Sequence, residues 1–232
     1  MSNADLAPVA RLIGDPTRAV MLDALLAGRP LAAGELARLA GVTAQTASAH
    51  LGLLLDAGLI GVEKQGRHRY FRLAGEDVAG ALEALALISP ARPVRSLRQS
   101  QSARALGYAR TCYDHLAGVA GVAVLDAMLD QEWLRTGEGG YDLTVTGAAA
   151  VEGLGLDVAA LRERRRSFAR PCLDWTERRP HLAGSVAAAM TATMIERGWF
   201  VRRRAGDRGL RVTESGIAGL AEVFGCRLTL AA

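Results

Sequence analysis

The chain is poor in cysteine, in aromatic residues and in long apolar runs, and each scarcity removes a class of protein. Three cysteines in 232 residues, Cys112, Cys172 and Cys226, are too few and too odd in number for a disulfide framework, which leaves reduced thiols as the simpler state. No apolar run approaches the roughly 18 residues of a membrane span, and "MSNADLAPVARLIGD" lacks the basic-then-apolar order of a signal peptide. A cytoplasmic protein with no membrane partner is expected. Aromatics make up only 5% of residues while half are hydrophobic, chiefly Ala and Leu, as in a largely helical globular chain. The net charge of +4 permits an anionic partner without demanding one, so the distribution of charge has to decide.

What is present begins with helix signals. Asp15 followed by Pro16 is a strong helix start, and Val20, Met21, Leu22, Leu25 and Leu26 continue it until Gly28 and Pro30. A short helix with Leu36 and Leu39, a turn at Gly41-Val42 and a longer helix capped by Thr43 then make a helix-turn-helix pattern. On that longer helix Ala47, Leu51, Leu54 and Leu55 recur at spacings of three and four, which turns Ala44, Gln45, Thr46, Ser48 and Ala49 toward other faces. Next, Ile60, Val62, Tyr70 and Leu73 belong to two short strands around a turn at Gly66, whose tip carries Lys64, Arg67, His68 and Arg69. A basic hairpin tip suits phosphates beside a groove, a contact that positions without specifying. A further apolar helix, "DVAGALEALALI", is of the kind that packs on a twin in a dimer.

The stretches "DPTRAVMLDAL", "GELARLAGVTAQTASAHLGLLLDAGLI" and "VEKQGRHRYFRL" together resemble the winged helix-turn-helix of the ArsR/SmtB family of bacterial transcriptional repressors, over about residues 10–88. The resemblance implies a recognition helix from Thr43 to Ala57, with Gln45, Thr46, Ser48, Ala49 and His50 facing the groove and Gly66 to Arg69 forming the wing. It further implies a homodimer reading a two-fold double-stranded operator and released by an effector. Metal-sensing relatives often carry paired cysteines in the first helix of the motif, where this chain has "ELARLAGV", and "EDVAGALEALALI" lacks the Asp and His pattern of the other common site. Sensing through those two sites is excluded.

Two prolines, several Ser and Gln, and Arg92, Arg95 and Arg98 mark residues 89–103 as the place where one domain gives way to the next. The division expected is a DNA-binding domain over 1–90, a linker or connecting helix over 91–108 and a second domain over 109–232. That second domain repeats itself. "ARTCYDHLAG" (109–118) returns as "ARPCLDWTERRPHLAG" (169–184), and from the histidines onward the two run in ungapped register, with Met128 matching Met194 and Trp133 matching Trp199. A Gly-centred hairpin follows each Trp, then a helix opening at Thr146 or Thr213, so copies of a winged-helix-like unit are read at about 109–156 and 169–225. The fold class expected is mainly α with small β-hairpins.

The shared Cys, Asp and His leave three readings open. Cys112, Asp114, His115, Cys172, Asp174 and His181 supply ligand types for zinc or a similar transition metal, in two equivalent sites or one shared site. Equally, Asp174 with Glu177 three residues on fits a helix N-cap, with Pro180 in the next first turn, so the insertion in the second copy reads as an extra helical turn; Asp114 reads as a cap likewise. The same groups also suit a small-molecule pocket. Met128, Met194, Trp133 and Trp199 read as core; "LRERRRSFAR" reads as a solvated helix face, and "VRRRAGDRGLR" as a basic hairpin open to a second nucleic-acid contact. A thiol nucleophile with a His base would need an orienting third group and an oxyanion site, and no such constellation is visible. The function expected is a sequence-specific, dimeric DNA-binding repressor modulated through its second domain. The alternatives are a winged-helix scaffold for protein contact and a metal- or thiol-dependent enzyme.

Overall fold

The computed structural model describes residues 4–66, 68–90, 96–137, 139–203 and 207–230, with residue 98 described by its backbone. Packing divides the chain into Met1–Leu82 and Glu83–Ala232. Composition placed the change near residues 89–103, whereas the division falls inside a helix, because Glu83 is buried against Arg208 of the second unit.

In the first unit, α1 (Ala7–Ile13) and α2 (Pro16–Leu25) are separated by Asp15, whose carboxylate accepts the Arg18 backbone N–H. The two-residue β1 (Leu31–Ala32) leads into α3 (Ala33–Ala40), and Gly41, at φ 66°, turns the chain toward α4 (Ala44–Asp56). Thr43 caps α4 by accepting the Thr46 N–H. β2 (Ile60–Gln65) and β3 (His68–Leu73) pair antiparallel, and β1 joins the far side of β3 in a three-stranded sheet. The core holds Met21, Leu22, Leu25, Leu36, Ala47, Leu51, Leu54, Phe71 and Leu73; the helical spacings mark most of these, but Leu39 is exposed, and on β3 it is Phe71, not Tyr70, that alternates with Leu73 toward the core. Helix α5 (Glu76–Ile88) carries the chain across the division.

After the end of α5 the second unit continues with α6 (Leu97–Tyr108), capped by Ser96, and then runs through one element order twice. The first pass is β4 (Arg110–Cys112), β5 (His115–Ala117), α7 (Val119–Asp130), β6 (Leu134–Gly137), β7 (Gly140–Leu143) and α8 (Val145–Gly153). After α9 (Val158–Arg162), the second pass is β8 (Arg170–Leu173), β9 (Pro180–Ala183), α10 (Ser185–Glu196), β10 (Phe200–Arg202), β11 (Leu210–Val212) and α11 (Glu214–Phe224). Each hairpin is a two-stranded antiparallel sheet. Hairpin and helix exchange partners: α7 packs on β9 and α10 packs on β5. Gly118 and Gly184, at φ 78° and 100°, begin α7 and α10, and a Cβ on either would lie under 3 Å from backbone oxygens. Only glycine fits the "Leu-Ala-Gly" corner in both passes. Met128, Met194, Trp133 and Trp199 are buried in one core with Leu125, Val186, Phe200 and Phe224. Among the described residues no helix is long and apolar enough to cross a membrane.

Three local readings of the sequence are corrected. The helix after the first Trp hairpin opens at Thr144, not Thr146: β7 ends at Leu143 and the Thr144 hydroxyl accepts the Gly147 N–H. The insertion "DWTERRP" does make one turn, with the Arg178 N–H donating to the Asp174 carbonyl and the Asp174 carboxylate accepting the Glu177 N–H, but it starts no helix. It is the loop of the β8–β9 hairpin, and Pro180 begins β9, a strand-start position where proline's missing donor costs no ladder bond. Asp114 likewise sits in the β4–β5 turn rather than at a helix start.

Candidate nucleic-acid interface and candidate cysteine-histidine site

Helix α4 buries Ala47, Leu51 and Leu54 against its own unit, and this leaves Thr43, Gln45, Thr46, Ser48 and Ala49 exposed. Several of these polar atoms are already used locally. The Thr43 and Thr46 hydroxyls lie 2.9 Å apart, and the Ser48 hydroxyl donates to the Ala44 carbonyl. His50 is half-buried, its Nδ1 3.3 Å from Arg18 Nη1 and 3.8 Å from Asp15, so α2 holds this ring in place. On the wing, Lys64 stands opposite Arg69 and Gln65 opposite His68, and the three basic side chains are exposed. Arg69 lies over the Phe71 ring at 5.5 Å, which steadies its stem while the guanidinium stays in water. Arg67 lies outside the described residues.

In the second unit the cysteines and histidines occupy facing strand positions. Cys112 on β4 is the cross-strand partner of His115 on β5, and Cys172 on β8 is the partner of His181 on β9. Cross-strand partners share a face, so each hairpin presents one thiol and one imidazole side by side. The two faces meet: Cys112 Sγ and Cys172 Sγ are 3.9 Å apart, and the imidazole centroids of His115 and His181 are 5.2 Å apart. One ligand atom from each of the four residues falls within 4.8 Å of every other, and all four residues are buried.

Asp114 and Asp174 are not in this group of four but stand behind it. Asp114 Oδ1 is 3.3 Å from His115 Nδ1, and Asp174 Oδ2 is 3.3 Å from His181 Nδ1, the latter short of good hydrogen-bond alignment. With each Nδ1 turned to a carboxylate, each Nε2 is the nitrogen left for the interior. Both Nε2 atoms are buried without a hydrogen-bond partner among the described residues. Each carboxylate is anchored by an arginine. Arg166 donates to Asp114 at 2.5 Å, and Arg110, fully buried beneath the Trp175 ring, donates to Asp174 at 2.9 Å. Asp174 also accepts the backbone N–H groups of Gly118, Thr176 and Glu177.

These partners set the protonation states. Burial pushes the Asp114 and Asp174 carboxyls upward, but His115 and Arg166 on the one, and His181 and Arg110 on the other, outweigh it and hold both below the usual carboxylate range. The Cys112 and Cys172 sulfurs lie within hydrogen-bonding reach of each other, and either can be the donor. That bond and burial raise Cys112, while the same bond, together with both imidazoles, draws Cys172 far below an ordinary thiol despite its burial. Burial lowers His181, yet Asp174 and Cys172 more than offset it.

Two basic stretches differ in part from expectation. In "LRERRRSFAR", Arg162, Arg164 and Arg165 are exposed as a solvated face requires, although Arg162 also pairs with Asp142 and lies over Phe168, whereas Arg166 is half-buried and holds Asp114. In the β10–β11 hairpin Arg208 is buried against Glu83 and is unsuited to nucleic acid; residues 204–206 lie outside the described part. The roles of Arg110, Arg166 and the Arg208–Glu83 pair had no local signal, since each partner lies 52 residues or more away.

A helix-turn-helix followed by an exposed basic hairpin defines a winged helix-turn-helix DNA-binding protein. Comparison agrees: residues 13–63 match the family described as "Helix-turn-helix domain". The chain is 44% identical over 214 residues to YdfF, an uncharacterized HTH-type transcriptional regulator of Bacillus subtilis, a match spanning 92% of this chain and 94% of that protein. The HTH-type transcriptional regulator CmtR of Mycobacterium bovis is 38% identical over 85 residues, 37% of this chain and 71% of that one. The solution structure of a winged helix-turn-helix DNA-binding domain from Mycobacterium bovis, a possible ArsR-family regulator, is 30% identical, covers 38% of this chain and 89% of that chain, and superposes with a TM-score of 0.34. The chain belongs to the HTH-type transcriptional regulators.

Proposed function

We propose that this DNA-binding regulator acts as a dimeric repressor whose hold on its operator is modulated by an effector captured in the second unit. The observation that carries the reading is the exposed row Gln45, Ser48 and Ala49 on α4, continued by Lys64, His68 and Arg69 on the wing. The side chains on α4 are small enough to let the helix enter a major groove, and Gln45 has the amide geometry that pairs with an adenine edge. The wing residues supply charge for phosphates. Dimerisation is supported by apolar residues that the single chain leaves uncovered, among them Leu85 and Ile88 on α5, 40% and 79% exposed. The effector reading is supported by the buried cysteine-histidine group, which core packing alone does not call for.

Retention of the full chain on its own upstream DNA across a salt series tests the proposal. A dimer contacting several phosphates loses affinity steeply as salt rises, on the order of 10³-fold or more between 50 and 200 mM. Absence of binding at every salt would instead fit a winged-helix scaffold for protein contact.

A further inference from the structure

The unused chemistry in this molecule is concentrated at one point, where two thiols and two imidazoles converge in a buried space and neither Nε2 has a hydrogen-bond partner among the described residues. We propose that Cys112, His115, Cys172 and His181 form a single tetrahedral site for a thiophilic divalent transition cation such as zinc. The ion is shared between the two hairpin-helix copies, and its occupancy is relayed to α5. This deepens the reading above by giving the effector a chemical class, and it rests on that reading for its regulatory consequence.

Four observations converge. First, the donor set: two sulfurs and two imidazole nitrogens are the ligands of closed structural zinc sites. Second, the dimensions: sulfurs bonded to zinc at about 2.3 Å in a tetrahedron lie about 3.8 Å apart, and Cys112 Sγ and Cys172 Sγ are 3.9 Å apart. Third, the support behind the ligands: a metal-bound histidine characteristically offers its other nitrogen to a carboxylate, and Asp114 and Asp174 stand at Nδ1 of His115 and His181. A pair of thiols serving only to form a disulfide would need neither the histidines nor these carboxylates. Fourth, the charge: Arg166 neutralises Asp114 and Arg110 neutralises Asp174. With those pairs neutral, binding in which both thiols release their protons leaves two thiolates as the uncompensated charge, and a divalent ion brings it to zero, whereas a monovalent or trivalent ion leaves a net charge away from water.

The position of the site gives the ion a mechanical role. Each copy contributes one thiol and one imidazole, so neither hairpin closes a site alone and an ion clamps β4–β5 to β8–β9. Next to Cys112, the Thr111 N–H donates to the Arg208 carbonyl at 2.8 Å, and the Arg208 side chain holds Glu83 of α5 at 2.5 Å. Helix α5 begins among the residues of the first unit, so strain at β4 has a short covalent and hydrogen-bonded route toward the DNA-binding half.

The test uses the full chain, reduced and stripped of metal, with cobalt(II) as a spectroscopic probe and zinc in competition with a chromophoric chelator, all without DNA. The expected result is one equivalent per chain, with the intense visible bands of tetrahedral cobalt and a thiolate-to-cobalt charge-transfer band. Cys112→Ser and Cys172→Ser each weaken zinc by about 100-fold or more. Asp114→Asn, at a partly exposed position, keeps the stoichiometry and weakens zinc by about 10–100-fold. Failure of the folded wild-type chain to bind, two equivalents per chain, unchanged affinity in both serine variants, or a Cys112–Cys172 disulfide as the only product overturns the site. The relay is read separately. Glu83→Gln keeps the cobalt spectrum but loses the metal dependence of DNA retention; a variant that keeps this dependence overturns the relay. Loss of DNA binding with an intact cobalt spectrum counts against the repressor reading alone.

Discussion

The side chains proposed to meet DNA lie within residues 43–69 and almost all are exposed, whereas the four donors of the second unit come from strands 60 residues apart and are buried. The difference follows from what each surface has to do. A groove and its phosphates are large, hydrated partners, and a short exposed segment can present everything they need. A small ion has to be stripped of water and surrounded, which requires donors from several directions and therefore from distant parts of the chain. The second unit meets that demand by folding one pattern twice and bringing equivalent residues face to face.

The equivalence has a limit, and the largest expected effect lies there. Asp174 and its partner Arg110 are fully buried, while Asp114 and Arg166 are partly exposed. Asp174→Asn leaves the Arg110 guanidinium buried without its counter-charge, at a cost of about 3–5 kcal/mol; Asp114→Asn leaves Arg166 access to water and costs clearly less. All three tryptophans, Trp133, Trp175 and Trp199, lie in the second unit. Urea unfolding followed by tryptophan fluorescence therefore reports on that unit. Equal losses from the two variants would show that burial does not separate the two carboxylates.

Where the copies do match, matched substitutions should match. Met128 and Met194 occupy corresponding places on α7 and α10, both essentially inaccessible. Met128→Ala and Met194→Ala are each expected to cost about 2–5 kcal/mol through lost packing and a residual cavity. A large effect from one and none from the other, in the same fluorescence-monitored melt, would break the equivalence of the two cores.

The first unit was legible because its signals are local. Asp15-Pro16, Gly41 and Thr43 start and stop helices within a few residues, and the apolar positions of α4 recur at helical spacing. In the second unit the register from His115 and His181 through the tryptophans was equally plain. The strands before it were not: β4 and β5 are three residues each, too short for alternation to show, and the loop "DWTERRP" carries helix-cap chemistry that serves a turn. The spacing of Cys112 and His115, with two residues between them at a tight turn, was the available clue to a hairpin. Which carboxylate meets which arginine was beyond local reading, since Arg110 and Asp174 are 64 residues apart and are joined by packing alone.

On the DNA-facing side the expected effects are smaller and distinguish base contact from phosphate contact. Gln45→Ala should cost about 1–3 kcal/mol on the preferred operator and relax the choice at one base position, whereas Arg69→Ala should weaken all sequences alike and lower the salt slope by about one. Competition binding on operator variants at two salt concentrations separates them. If both substitutions weakened every sequence equally, α4 would not be reading bases.

The smallest effect compares the caps. Thr43, Thr144 and Thr213 each accept the N–H three residues on, at Thr46, Gly147 and Gly216, and replacing a capping threonine by alanine costs about 0.5–2 kcal/mol. Thr144 and Thr213 do more than cap: their hydroxyls also donate to the Glu132 and Gly198 carbonyls, which fasten helix to hairpin, while the Thr43 hydroxyl lies beside that of Thr46. Thr144→Ala and Thr213→Ala should therefore fall at the upper end of that range and move the tryptophan-monitored transition by similar amounts. Thr43→Ala should fall at the lower end, visible by circular dichroism of the first unit and leaving the tryptophan transition in place. A shift of that transition by Thr43→Ala would mean that the two units unfold as one.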